Sequence, residues 1–200
     1  VFSFAVSRLT RPDIPVLENL LQIFHHVRVP MDIPENIVGR VQAGPLGSLI
    51  HTGRPILNMP DTSQLAFQSL WRLSAKLDCR GGRYEKDVYE ATIEHLSSSF
   101  EMFMNGGDAT VVAFLWIIRV PSRFLNVVKE RQPFALVILA HFMVITHSLR
   151  RRWWMGDWSA GVLHDIVQGL DSEWRRSVSW VMDAVGWYIP EMCTSAWRLD

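Results

Sequence analysis

The chain has 200 residues, 48% hydrophobic and 20% charged, which is length for one domain or one and a half, with apolar mass for a large core and no sign of disorder. Its 20 Lys+Arg balance its 20 Asp+Glu, which argues against a free-standing nucleic-acid binder, since phosphate contacts require a basic excess. Cys79 and Cys193 are too few and too far apart for a disulfide framework or a cysteine zinc site, and they point to a reducing compartment.

Val1 to Leu9 is apolar, contains no secretory signal and lacks an initiator Met, so the chain reads as an excerpt of a longer protein. After Pro12 and Pro15, Leu17, Leu20, Leu21 and Phe24 form an amphipathic stripe that reaches His25, His26 and Val27. Pro30 and Pro34 end it. Residues 36–60 carry Gly39, Gly44, Pro45, Gly47, Gly53 and Pro55, a composition for short turns and loops. Asp61, Thr62 and Ser63 offer an N-cap to a helix with Ala66, Leu70, Leu73 and Leu77 on one face.

Tyr89, Ile93, Leu96, Phe100 and Phe103 recur at i, i+4, i+7, i+11 and i+14, the strongest helical periodicity in the chain. Asn105-Gly106-Gly107-Asp108 stops that helix and caps the next. Residues 110–118 are almost wholly apolar and fit a buried strand or a helix; helical neighbours and the lack of a partner strand favour helix. Phe124, Leu125 and Val128 predict a short helix leading to Pro133.

The segment from Lys129 to Trp187 organises the rest. Pro133 suits a first helical position, where its missing N–H costs nothing. Residues 134–149 contain no breaker and almost no charge. A helix apolar on nearly every face is buried or membrane-spanning. The uninterrupted run is about fourteen residues, short of the roughly 20 that a bilayer requires, so a buried central helix over 133–149 is expected and no membrane span. Arg150, Arg151 and Arg152 follow as a solvated cap that suits the helix dipole; a phosphate site is the alternative. Six of the nine tryptophans lie between Trp153 and Trp187. Gly156 permits a bend, and Asp157 or Ser159 can cap a helix carrying Val162, Leu163, Ile166, Val167 and Leu170. Asp171 or Ser172 caps a further stripe of Trp174, Val178, Val181 and Val185, up to Gly186. The expected fold is all-α: an irregular bundle of roughly eight to ten helices with short connections.

Catalytic and metal motifs are absent. His25 and His26 are adjacent and point to different helix faces, and His141 and His147 are six apart. No H-E-x-x-H, zinc-spaced cysteine set, EF-hand loop or G-x-S-x-G occurs. The histidines read as core-edge or surface residues, with no catalytic residue, metal ligand or cofactor expected. What remains is a large aromatic and methionine inventory. It reads as core packing, or as an apolar cavity for a lipid-like ligand.

Several motifs resemble one family. They are Pro133-Phe134-Ala135-Leu136 with Leu139-Ala140-His141, Trp153-Trp154 with Trp158, Leu170-Asp171-Ser172-Glu173-Trp174, and Trp180-Val181-Met182 with Gly186-Trp187. Together they resemble the C-terminal regulatory domain of fungal zinc binuclear cluster transcription factors, nearest the branch of the sterol uptake control protein. Phe4-Ala5, the Leu20 to Phe24 segment and Gly44-Pro45-Leu46 are similar to the family's middle region. The resemblance implies an all-helical domain, a homodimer, that senses a hydrophobic small molecule such as ergosterol and controls a DNA-binding domain elsewhere in the protein. It implies a nuclear location, with a cytosolic ligand-bound state. Gly106-Gly107 resembles the turn whose disturbance activates the sterol branch, and is the expected regulatory turn. Where the family carries Pro after the tryptophan matched by Trp180, this chain has Val181, so an unbroken last helix is expected.

Phe103, Trp116, Phe142, Met143 and Trp154 are the expected ligand-lining residues. They would face a cavity between the helices over 89–104, 110–118 and 133–149 and the tryptophan-rich turn. The alternative is a ligand-free dimerisation or co-regulator scaffold with a solid core.

Overall fold

The computed structural model describes residues 16–28, 60–78, 85–153 and 155–186. Nine helices and no strand occur among the described residues. In chain order they are α1 Val16–Arg28, α2 Asp61–Asp78, α3 Lys86–Met104, α4 Ala109–Arg119, α5 Ser122–Lys129, α6 Pro133–His147, α7 Trp158–Gly169, α8 Ser172–Arg176 and α9 Ser179–Ala184. The expectations for residues 1–9 and 36–59, for both cysteines, and for Trp154 and Trp187 fall outside the described residues.

The apolar run after Pro133 becomes α6, and twelve of its fifteen residues are buried. A helix without a polar face must be surrounded, and α7, α3, α4, α9, α5 and α8 all pack on it. No single helix among the described residues is long and apolar enough to cross a membrane. His141 was expected at the core edge or surface. It is buried within α6, where its ring Nδ1 donates to the Val137 carbonyl at 2.8 Å. That local bond lets the imidazole enter the core with one polar atom satisfied.

The other stripes face inward as their spacing requires. On α3, Tyr89, Ile93, Leu96 and Phe100 are buried and Phe103 is half-buried. On α1, Leu17, Leu20, Ile23 and Phe24 are buried, while His25 and His26 are exposed. This face packs on α7, α4 and α5. α2 packs chiefly on α3 through a face that includes Phe67 and Leu70. Residues 110–118 are helical within α4, with Val112, Ala113, Trp116 and Ile117 turned to the core.

Caps decide where the elements stop. Gly106 lies at φ +86°. Its N–H donates to Phe103 O and that of Gly107 to Met102 O, a Schellman closure of α3. The Asp108 carboxylate then accepts from the Thr110 and Val111 amides and opens α4. Asp171 does the same for α8, at Glu173 and Trp174.

Three expectations are corrected. Asp157 precedes α7 but makes no side-chain capping bond. Ser159 is buried, and its hydroxyl donates to Thr146 Oγ1 on α6 at 2.9 Å, so it joins two helices instead of capping one. The stripe from Trp174 to Val185 is two helices, α8 and α9. The chain tightens between them into three-residue turns, Ser177 N–H to Trp174 O and Val178 N–H to Arg175 O. Arg175 accounts for the break: its Nε donates to Val167 O and Leu170 O, which ties α8 to the end of α7. The chain then turns to lay Val181 and Met182 into the core; the break lies before Trp180, and α9 runs unbroken through Val181.

Candidate functional site

The expected ligand site draws on α3, α4, α6 and the turn after α6. Trp116 on α4 and Phe142 on α6 do come together. Their rings stack at 4.0 Å between centroids and 19° between planes. Phe24 of α1 meets both edge-on, at 6.2 and 6.1 Å. Phe124 of α5 meets Trp116 at 6.2 Å. Such pairings add about 0.5–1.5 kcal/mol each beyond area burial. All four rings are fully buried. The indole Nε1 of Trp116 has no hydrogen-bond partner. This orphaned donor costs about 1–3 kcal/mol, which the surrounding packing offsets.

Met143 is also fully buried, beside Phe142 on α6, and its sulfur lies 3.7 Å from Thr146 Oγ1. Phe103 is half-buried at the end of α3 and packs against the core from outside it. Trp154 lies outside the described residues.

A small void does exist, between α1, α4, α6, α7 and the turn after α6. Its lining includes Phe24, Thr110, Ala113, Phe142, Thr146 and Met155. Of the four expected lining residues that are described, it touches Phe142 alone. Two of the expected helical walls, α4 and α6, are present together with the turn. The third, α3, is replaced by α1 and α7. The space amounts to about 10 Å³, the bare minimum for one water. Thr146 offers little to a guest, because its hydroxyl donates to Met143 O and accepts from Ser159.

The titratable groups near the centre are tuned by burial. Desolvation lowers His141 to about 4, against a smaller raising effect of its bond to Val137. Its ring stacks on Trp180 of α9 at 5.6 Å and 18°. His95 and His147 are lowered too, by desolvation first and then by Arg119 and Arg150 respectively. Among the described residues no three His, Cys, Asp or Glu side chains converge as metal ligands would.

Gly106 and Gly107, the expected regulatory turn, join α3 to α4 as a tight structural closure. An added Cβ at Gly107 would stand 2.7 Å from the Met102 carbonyl oxygen, whereas one at Gly106 would meet nothing. The first glycine answers to backbone conformation and the second to space.

Trp153, counted in the aromatic inventory expected to fill the core or line a cavity, is 77% exposed beside three exposed arginines. The signal was present in the adjacency of Arg150, Arg151, Arg152 and Trp153, where the arginines read as a helix cap. Compared with known proteins, the chain matches no family model, no curated protein and no solved structure.

Proposed function

We propose that this chain is a helical regulatory domain of a fungal zinc cluster transcription factor and works as a ligand-free scaffold. In this reading it pairs with a second copy or with a co-regulator and performs no catalysis. DNA is bound by a separate domain of the same protein, and the site of action is the nucleus. The tryptophan motifs support the family setting.

The observation that favours a scaffold over a sensor is the closed Trp116–Phe142 stack where the ligand was expected. The neighbouring void of about 10 Å³ is far below the roughly 300–1,000 Å³ of small-molecule pockets. The sensing reading retains one point in its favour, the void's apolar lining broken by two threonines. A sterol would fit there only if the aromatic stack opened and α1 moved off α4 and α7.

The chain purified from a sterol-containing host tests both readings at once. Native mass spectrometry is expected to show sterol-free protein, and added ergosterol to leave Tm unchanged. A stoichiometric bound sterol would overturn the scaffold reading. So would a Tm rise of about 5 °C or more with ligand at a hundredfold excess over Kd.

A further inference from the structure

Leu149 and Met155 are buried on either side of four consecutive exposed residues: Arg150, Arg151, Arg152 and Trp153. The backbone between them is held by hydrogen bonds. Arg152 N–H donates to Leu149 O at 2.8 Å, and the Met155 and Gly156 N–H groups donate to Arg152 O at 3.0 and 3.2 Å. The four side chains are thus carried outward on a pinned turn. Arg150 reaches back to the His147 carbonyl at 3.4 Å, a local cap for α6. Among the described residues, Arg151 and Arg152 form no ion pair and the Trp153 ring contacts no other ring. Within the turn's own sequence, residues 148–157, Asp157 is the one carboxylate, and it acts on His147. His147 is itself held below its ordinary value, so the turn carries three positive charges against one negative.

An indole at 77% exposure is costly to leave in water, and three adjacent guanidiniums repel one another. Both features favour an anionic surface with an apolar layer beneath it. We infer that the turn over residues 150–153 is a peripheral contact for an anionic phospholipid surface. The arginines pair with headgroup phosphates, and Trp153 enters the interfacial layer, the level at which tryptophan concentrates in membranes. Each basic residue near such a surface strengthens binding roughly fivefold. Three of them fall short of a self-sufficient polybasic anchor, and the indole supplies the second signal that stable attachment requires. Nucleic acid is disfavoured, because backbone tracking requires a basic stripe longer than one turn and the chain's formal net charge is zero. An acidic protein segment is disfavoured because a projecting tryptophan gains from a protein only where that protein offers a pocket. The inference is independent of the scaffold reading.

Co-sedimentation of the whole chain with vesicles tests it. The chain is expected to sediment with vesicles of phosphatidylcholine and phosphatidylserine, not with phosphatidylcholine alone, and less so as salt is raised. The double reversal Arg151→Glu/Arg152→Glu is expected to weaken binding about tenfold or more. Trp153→Ala is expected to weaken it several-fold while leaving the salt dependence in place. All of these side chains are exposed, so Tm serves as the check that the variants fold. Binding that ignores phosphatidylserine, or variants that bind like the parent, would overturn the inference. So would tighter binding of duplex DNA or polyglutamate than of the vesicles.

Discussion

At His141 the cost of burial becomes a pH dependence. A carbonyl can only accept, so the proton of the neutral ring sits on Nδ1, facing Val137 O. The folded ring titrates at about 4 and an unfolded one near 6.5. Between those values the unfolded chain holds the proton and the folded chain does not. Stability is therefore complete above pH 6.5 and falls as pH drops toward 4, by at most about 3 kcal/mol from this group. His95 and His147 shift in the same direction and steepen the fall. Urea unfolding between pH 7 and pH 4.5 is expected to show it, and His141→Met should flatten the slope. An unchanged slope in that variant would place the dependence elsewhere. Gly106 and Gly107 separate conformation from space. Gly106→Ala puts a side chain at positive φ and is expected to cost about 1 kcal/mol. Gly107→Ala forces a Cβ against the Met102 carbonyl and is expected to cost more. Denaturant midpoints give the order, and the reverse order would contradict the close approach.

Elements that carry a one-sided apolar stripe or a capping residue were legible from the sequence. α3 followed from five residues at helical spacing, α6 from the absence of any polar face, and the starts of α4 and α8 from Asp108 and Asp171. Bonds that reach across the chain were not legible. Asp165 on α7 accepts the Leu17 amide at 3.2 Å and so caps α1 from a distance. It also meets Arg131 at 3.5 Å. No local pattern encodes a cap contributed by another helix. The split between α8 and α9 was hidden for the same reason, since Arg175 acts on carbonyls of the preceding helix. Asp165→Ala is expected to cost about 1 kcal/mol. Hydrogen exchange should show faster opening of the first turn of α1, with the middle of α3 unaffected. Uniform loss of protection across both helices would mean that Asp165 supports the whole core and not one helix end.

At the scale of the molecule, the all-α class and the central place of α6 were readable because they depend on composition summed over many residues. The candidate site was readable only in part. Aromatic residues that fill a core and those that line a cavity obey the same spacing, and only their mutual geometry separates them. Trp116 and Phe142 do lie together, but they meet face to face at stacking distance. Trp153 was misjudged in the opposite direction: one of six clustered tryptophans, it belongs to the surface.

The joining of α1 to α7 also bears on how the chain is made. The bond between Leu17 and Asp165 spans 148 positions. At roughly 5–20 residues per second, the ribosome extends the chain for about 7–30 s after α1 emerges before its partner exists. During that interval Leu17, Leu20, Ile23 and Phe24 have no α7 to cover them. The first of the described helices to be synthesised is thus among the last to be seated, and its apolar face stays open to a chaperone for that whole interval.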